Sequence, residues 1–295
     1  MIISVLRSMV ILTVLASLGG CGETVLSPIG PIGAAERTIL LDSVAIMLAI
    51  VVPTIVATLA FAWWFRHGNS RARYRPRWAY SGELELLMWS VPALVILFLG
   101  GIAWIGSHDL DPAKPLHPKP LQIEVVSLDW KWLFIYPGQQ VASINRMVVP
   151  AGVPLHLRVT SASVMNVFFV PRLGSEIYSM SGMATQLNLR ADQPGTYPGL
   201  SANFSGDGFP HMRFNFEALP AGQFDAWIAA SRRTGGVLDD VAYRGLLRQS
   251  VPLHPYTYRS VQAGLFDRIV TLQLPPGEGP RSGRPRPDIK PVAVQ

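Results

Sequence analysis

The chain has 295 residues, a formal net charge of +6 and a hydrophobic content of 49%, which is more apolar than a typical soluble protein. Much of the positive charge lies in one short loop and in the C-terminal tail, so the charge does not indicate nucleic-acid binding. The single cysteine, Cys21, excludes an internal disulfide and a thiolate metal site in the rest of the chain.

Residues 1–20 have the pattern of a secretory signal. Arg7 precedes a short apolar stretch, and Leu18-Gly19-Gly20 stands directly before Cys21. A basic start, a short apolar stretch and small residues are typical of a cleaved signal rather than a spanning helix. A cysteine at this place is the bacterial lipoprotein signature, which predicts that Cys21 is acylated and becomes the N-terminus. The alternative is a chance buried cysteine near an ordinary first helix.

Two uncharged apolar stretches, residues 43–65 and 86–105, are long enough to cross a bilayer, which takes about 20 apolar residues. Tryptophans lie near their ends, where indoles favour the interface. The prolines inside them, Pro53 and Pro92, are tolerated by helices in lipid. The prediction is two transmembrane helices preceded by an external segment, residues 21–42. A pair of buried core helices is the alternative.

The loop between the two stretches, residues 66–85, carries five arginines and no acid before Glu83. Short basic loops remain in the cytoplasm. The segment after Cys21 and the long C-terminal part are therefore both predicted outside, which agrees with a lipoprotein signal that requires Cys21 to cross the membrane.

Residues 106–217 are predicted to form an external β-sandwich, because short β-like runs alternate with turn residues from Leu121 onward. Leu121–Trp132 is expected to be one alternating strand. Near the end of the domain Met212, Phe214 and Phe216 alternate with polar residues, which predicts that they fill the core.

Residues 218–274 are predicted to be a small helical extension, with amphipathic helices over Phe224–Ser231 and Asp239–Gln249. The tail, residues 275–295, is rich in proline, glycine and arginine. Such a composition does not bury enough apolar surface to order itself, so the tail is predicted to be disordered.

Four segments resemble subunit II of the haem–copper oxidases. They are the run from Glu83 and Glu85 into Met88-Trp89-Ser90-Val91-Pro92, the segment Asp129-Trp130-Lys131-Trp132, the stretch from Ser163 to Pro171, and the loop from Pro194 to Met212. Together with the C-terminal helical region they are similar to the cytochrome bo-type, ubiquinol-oxidizing branch. The resemblance implies a membrane-anchored mixed fold: a two-helix transmembrane hairpin, an external all-β cupredoxin-like sandwich and a small C-terminal helical extension.

In the cytochrome c-oxidizing branch this loop and the earlier strand hold a dinuclear copper centre. The resemblance aligns its ligand positions with residues that have mostly lost the necessary chemistry: Asn166, Ser201, Asn203, Ser205, Phe209 and Met212. A mixed-valence copper pair needs soft thiolates, whereas serine hydroxyls are hard and stay protonated. Only Met212 keeps a ligand type, so the copper site is predicted to be absent. His211 is predicted to be an ordinary surface histidine.

Two further predictions concern pairs of side chains. If their segment is a strand, Trp130 and Trp132 share one face; they either fill the core or, by the resemblance, contact the large catalytic subunit. Glu83 and Glu85 are interpreted as solvated residues at a helix start, stabilised by the helix dipole, rather than as groups that take up protons.

The resemblance implies a non-redox subunit II of a proton-pumping ubiquinol oxidase in the bacterial inner membrane. It would carry no cofactor and no catalytic residue, and would support assembly and stability of the complex. Haems and copper are expected in subunit I, and subunits I, III and IV, membrane lipid and ubiquinol are the expected partners. The alternatives are a copper-containing subunit II of cytochrome c oxidase and a membrane-tethered periplasmic binding protein.

Overall fold

The computed structural model describes residues 25–73, 75–252 and 254–279. The predicted signal peptide and the acylated Cys21 lie outside these ranges, as does the predicted tail from residue 280 onward. The chain divides into two units: the outer domain, which contains residues 112 onward together with the segment before Ala35, and a helical unit, Ala35–Asp111.

The helical unit is built on two long apolar helices, α1 (Pro31–Trp64, 34 residues) and α2 (Gly82–Asp109, 28 residues). Both are long and apolar enough to cross a membrane, and their most apolar stretches are not buried by the described part of the chain. The two predicted helices are confirmed. Each is longer than its apolar stretch because polar turns continue the hydrogen-bonded helix, so residues 82–85 belong to α2 rather than to the loop.

The outer domain is a sandwich of a six-stranded and a five-stranded sheet. The strands are β1 (Leu121–Leu128), β2 (Lys131–Tyr136), β3 (Val141–Ile144), β4 (Arg146–Pro150), β5 (Leu155–Ser161), β6 (Asn166–Phe169), β7 (Glu176–Ser179), β8 (Thr185–Leu189), β9 (Gly195–Ser201), β10 (Arg213–Leu219) and β12 (Tyr256–Tyr258). The six-stranded sheet has the order β12-β3-β2-β1-β5-β8 and the five-stranded sheet the order β4-β10-β9-β6-β7. Within these two sheets, pairing is parallel only for β1 with β5 and for β4 with β10. The predicted sandwich is confirmed, with more strands than the sequence indicated.

The run Leu121–Trp132 is not one strand, as the sequence predicted. It is a hairpin in which Leu128 pairs with Lys131 across a turn made of Asp129 and Trp130. Two-residue hairpin turns require positive φ values, and Trp130 has a φ of 66°. The condition under which Trp130 and Trp132 would share one face, a continuous strand, is therefore not met.

Both faces of the six-stranded sheet are buried at β2. Residues of β2 alternate between two clusters: Trp132 and Phe134 face the other sheet, whereas Leu133 and Ile135 face away from it. The outward face is covered by the C-terminal extension, which makes the segment Lys131–Tyr136 buried throughout. A strand buried on both faces reads as a continuous apolar run, which explains why simple alternation misplaced the turn.

The C-terminal extension adds both helices and strands. Its helices are α3 (Ala221–Ser231), α4 (Asp240–Leu246) and α5 (Leu265–Val270), and a small sheet pairs β11 (Val237–Leu238) with β13 (Ser260–Val261). The first two helices were predicted from the sequence; α5 and the addition of β12 to the edge of the large sheet were not. Asp239 caps α4 by accepting hydrogen bonds from the backbone N–H groups of Val241 and Ala242.

Segments before and after the sandwich are fastened to it by backbone hydrogen bonds. Ile29 N donates to Arg172 O (2.9 Å), and Asp192 N donates to Ile29 O (2.8 Å). At the other end, Gly277 N donates to Ala162 O (2.8 Å), and Gln249 Nε2 donates to Gly279 O (2.7 Å). The first residues of the predicted disordered tail, 275–279, are therefore ordered against the domain, because Ala162 after β5 and Gln249 in the extension supply their hydrogen-bond partners.

Candidate functional site

A buried network of neutral polar groups joins β6 to the end of β9. Asn166 is 1% exposed and Ser201 is 3% exposed. Ser201 Oγ donates to Asn166 Oδ1 (3.1 Å), and Asn166 Nδ2 donates to Val164 O (3.2 Å) and makes a long contact with Ser127 Oγ (3.5 Å). Ser127 Oγ in turn lies 2.9 Å from Ser179 Oγ on β7. Strands of both sheets are thereby connected through hydroxyl and amide groups.

The loop that follows β9 lies over the turn between β1 and β2. The Ser205 carbonyl accepts a hydrogen bond from Trp130 Nε1 (3.0 Å), and Ser205 Oγ lies 3.8 Å from Met212 Sδ. The backbone of Gly208 is so close to the indole that an added Cβ would lie 2.1 Å from Trp130 Cδ2. These contacts hold Trp130 in its positive-φ conformation and leave it 1% exposed.

Two of the aligned positions lie at the outside of this loop. Asn203 Nδ2 donates to Met165 O (3.2 Å). Phe209 is half-buried in a 3₁₀ turn, Phe209–His211, and its ring meets the edge of Phe204, which is 73% exposed, at a centroid distance of 5.6 Å. Of the six positions, Ser201 contacts both Asn166 and Asn203, since its Oγ also donates to Asn203 O (3.3 Å), and Ser205 contacts Met212. Phe209 makes no hydrogen bond to these side chains in the described part of the chain.

Comparison with known proteins shows what the outer domain and the whole chain are similar to. A family model for "Cytochrome C oxidase subunit II, periplasmic domain" matches residues 122–219. A solved structure of the periplasmic domain of cytochrome oxidase subunit II from Bradyrhizobium japonicum is 22% identical, covering 40% of this chain and 98% of that chain with a TM-score of 0.38. Ubiquinol oxidase subunit 2 of Acetobacter aceti is 46% identical over 86% of this chain and 83% of that protein. Cytochrome bo(3) ubiquinol oxidase subunit 2 of Pseudomonas aeruginosa is 44% identical over 86% of this chain and 77% of that protein.

The chain belongs to the ubiquinol oxidase subunit 2 family. It is a membrane protein with two spans and a periplasmic domain of the cytochrome oxidase subunit II type. The family assignment confirms the resemblance of the sequence to the quinol-oxidizing branch.

The aligned copper-ligand positions do not fit a dinuclear copper centre. Ser201 and Ser205 offer neutral hydroxyls where thiolate bridges are needed, and Asn166 uses its amide oxygen to accept a hydrogen bond from Ser201. The described residues contain no group of three or more histidine, cysteine, aspartate or glutamate side chains arranged to hold a metal ion. His211 is exposed while Met212, Phe214 and Phe216 are buried, as the sequence predicted.

Trp132 is a core residue of the sandwich. Its indole meets the rings of Phe168 and Phe214 edge-on, at centroid distances of 5.6 and 5.7 Å, and it is 0% exposed. The structure thus buries both Trp130 and Trp132, so neither side chain presents a surface to another subunit. Their direct contact with subunit I is not supported, because the loop after β9 and the second sheet cover them.

Lys131 is a buried cation that sequence reasoning did not single out. Its side chain is enclosed between the sandwich and the extension, where Nζ donates to Arg248 O and to Ser250 Oγ, both at 2.8 Å. Burial lowers the pKa of Lys131 to about 8, against the opposing effect of the Asp129 charge. A lysine inside the apolar run of β2 was the available sequence signal, since lysine is almost never fully buried without partners.

Asp129, the neighbour of Lys131 in the turn, is also buried. Its Oδ1 accepts a hydrogen bond from Ser163 Oγ, while its Oδ2 finds no hydrogen-bond partner in the described part of the chain. A carboxylate oxygen without a donor is costly to bury, so the nearby positive charge of Lys131 is a stabilising influence.

A second charged contact joins the extension to the large sheet. Arg158 on β5 donates from Nη1 to Glu124 Oε1 on β1 (3.1 Å) and from Nη2 to Asp267 Oδ1 on α5 (2.8 Å). Its guanidinium also lies 4.7 Å above the Phe266 ring. Burial raises the pKa of Glu124 to about 7, although the Arg158 charge acts to lower it.

Glu83 and Glu85 lie in the first turn of α2, and both are exposed. Acidic residues at this end of a helix interact favourably with the helix dipole. The interpretation that they are solvated helix-start residues stays a prediction.

Proposed function

We propose that the chain is the non-redox subunit II of a proton-pumping ubiquinol oxidase, which passes electrons from ubiquinol to oxygen in the aerobic respiratory chain. The observation that carries this proposal is the hydrogen bond between Ser201 Oγ and Asn166 Oδ1. Two positions that would be copper ligands satisfy each other instead, and their neutral groups have no tendency to bind a soft metal.

A subunit without a copper centre suits a lipid-soluble electron donor. Ubiquinol delivers its electrons within the membrane, directly to the haem-bearing subunit I, so no soluble cytochrome has to dock on the outer domain. Haems and copper would belong to subunit I, and this chain would contribute no catalytic residue. Its partners would be subunits I, III and IV, and the names of its relatives support the quinol as reductant.

The role of this chain would be assembly and stability of the complex. Since Trp130 and Trp132 are buried, a contact with subunit I is better supplied by the loop that they support. Phe204 at its tip is 73% exposed, and Met165 beside it is 42% exposed. Exposed apolar side chains that are clustered, rather than scattered, are typical of interaction surfaces.

The proposed location is the bacterial inner membrane, with the outer domain on the periplasmic side and Cys21 acylated. The basic loop between the helices and the signal pattern before Cys21 support this topology independently. Mass spectrometry of the N-terminal peptide tests the anchor: a diacylglycerol-modified Cys21 is expected, and an unprocessed N-terminus would contradict it.

Purification in detergent through a tag on this chain tests the main proposal. We expect haem-bearing subunits to co-purify, ubiquinol to be oxidised and reduced cytochrome c not to be. Oxidation of cytochrome c but not of ubiquinol would sink the assignment and favour the copper-containing subunit. If no haem protein accompanied the chain, a membrane-tethered binding protein would be favoured instead.

Copper analysis of the isolated chain provides a second readout. No bound copper is expected for the natural sequence. The matched control is the variant N166H/S201C/S205C/F209H, which restores thiolate and imidazole at the aligned positions and retains Met212. This variant is expected to bind copper with a thiolate-to-copper absorption band. Two coppers bound to the unaltered chain would overturn the proposal.

A further inference from the structure

The segment that joins α1 to α2 is a basic surface with no counter-charge of its own. Between Arg66 and Gly82 it contains five arginines and no acidic residue. The arginines are all exposed, and no ion pair involves them in the described part of the chain. They are Arg66, Arg71, Arg73, Arg75 and Arg77. With α1 and α2 crossing the membrane and the outer domain in the periplasm, this segment lies at the cytoplasmic surface of the bilayer.

The start of this segment is organised by Asn69. Its Nδ2 donates to Trp64 O at the end of α1 (2.6 Å), and its Oδ1 accepts from the backbone N–H of Arg71 (3.1 Å). Arg66 also caps the helix, because its Nη1 donates to Trp63 O (3.3 Å) and its guanidinium lies 4.8 Å above the Trp63 ring. Asn69 and Arg66 thus satisfy part of the free carbonyls at the end of α1. The side chains of Arg71, Arg73 and Arg75 do not take part in this capping.

The later arginines line an open cavity of about 880 Å³. Its polar wall includes Arg71, Arg73 and Arg75, and its apolar wall includes Trp64 and Trp78. The volume lies within the range of about 300–1,000 Å³ that is usual for small-ligand sites. A cavity with guanidinium groups on one side and indoles on the other suits a molecule with an anionic head and an apolar body.

We propose that this cavity binds the phosphate of an anionic phospholipid from the cytoplasmic leaflet. Guanidinium groups bind phosphate oxygens in bidentate fashion, and indoles favour the level of the lipid headgroups. A free phosphate ion would share the charge recognition but would leave the indoles without a contact. An acidic segment of a partner subunit would satisfy the arginines too, but the position of the cavity at the membrane surface and its aromatic wall favour the lipid.

The test uses the detergent-purified complex, incubated with vesicles of phosphatidylglycerol in phosphatidylcholine or of phosphatidylcholine alone. Phosphatidylglycerol retained after washing is counted by mass spectrometry. The variant R71Q/R73Q/R75Q is expected to bind it on the order of a hundredfold more weakly, since each arginine near the surface contributes roughly fivefold. The matched control, R213Q/R233Q/R259Q, changes the same charge on exposed arginines of the outer domain and is expected to bind as the unaltered complex does.

A charge-conserving variant, R71K/R73K/R75K, keeps the basic loop that directs membrane insertion and removes only the guanidinium forks. It is expected to bind phosphatidylglycerol with intermediate affinity, and it decides the matter if the glutamine variant does not assemble. Affinity equal to that of the unaltered complex would overturn the proposal. An equal loss of phosphatidylglycerol affinity in R213Q/R233Q/R259Q would also overturn it, and so would displacement of the lipid by an equal concentration of inorganic phosphate. The same holds if the glutamine variant lost the haem-bearing subunit but retained the lipid.

Discussion

Around β2 the large sheet is buried on both faces, but different kinds of group stabilise each face. On the inner face, aromatic rings pack between the sheets, and the polar network around Asn166 and Ser201 is neutral. On the outer face, buried Lys131 donates directly to the C-terminal extension, and half-buried Glu124 is linked to it through Arg158, which also pairs with Asp267. The inner face is the folding core of the sandwich, whereas the outer face is a docking surface for a segment that follows in sequence.

The turn between β1 and β2 separates these two environments within two residues. Trp130 contacts the loop that follows β9, and Lys131 contacts the carbonyl of Arg248 in the extension. Neutral groups that hydrogen-bond to each other hold a loop independently of pH. Lys131 and Glu124 have pKa values that are shifted toward neutral pH, so the stability of the contact with the extension depends on pH.

The largest difference between the faces is expected from removing one aromatic ring from each. Phe214 stacks on Phe168 on the inner face, and Phe266 is 1% exposed on the outer face. Phe214→Ala is expected to cost about 3–5 kcal/mol of the unfolding free energy of the whole domain. Phe266→Ala is expected to release mainly the extension, so limited proteolysis should remove residues 237–274 and leave the sandwich intact. Identical proteolysis patterns for the two variants would contradict the distinction.

A pH-dependent effect is expected at Glu124. Because its pKa is raised from 4.5 to about 7, the folded state keeps a proton that the unfolded state releases, and stability falls as pH rises between these values. The contribution is up to about 3 kcal/mol at 1.36 kcal/mol per pKa unit. Glu124→Gln is expected to lose this dependence in thermal unfolding measured across the window. The exposed Glu176→Gln on β7 is the control, and a parallel pH profile for E124Q would refute the assignment.

Lys131→Met tests the charged contact between the sheet and the extension. The methionine keeps the apolar stem but leaves the Arg248 carbonyl and Asp129 without the ammonium, so a loss of about 2 kcal/mol is expected. Hydrogen exchange of residues 240–250 should accelerate more than that of β9. Lys119→Met, at an exposed position, is expected to change neither. Unchanged exchange in the extension of K131M would show that Lys131 does not fasten it.

The smallest effect is expected in the neutral network. Ser201→Ala removes the hydroxyl that donates to Asn166 Oδ1 and to Asn203 O, and it is expected to cost about 1 kcal/mol, with no dependence on pH because none of these groups titrates. Chemical denaturation at two pH values measures both quantities. A pH-dependent cost would mean that the network is coupled to a charge after all.

Part of this organisation could be predicted from particular residues. The apolar stretches around Pro53 and Pro92 were long enough to span a bilayer, and the arginine-rich loop between them set the topology. Alternation placed Met212, Phe214 and Phe216 in the core because the side-chain period of a strand is two. The absence of any cysteine after Cys21 already excluded thiolate ligands at positions 201 and 205.

The sequence by itself thus determined the spans and the sandwich, since both depend on residue type and local period. Only the tertiary structure decided that Trp130 occupies a turn, that Lys131 is buried and that Asn166 bonds to Ser201. These depend on groups distant in the chain: Ser205 and Gly208 hold Trp130, and Arg248 accepts from Lys131. A strand that is buried on both faces has a nearly continuous apolar sequence. Its hydrophobic pattern therefore does not indicate which element packs on each face.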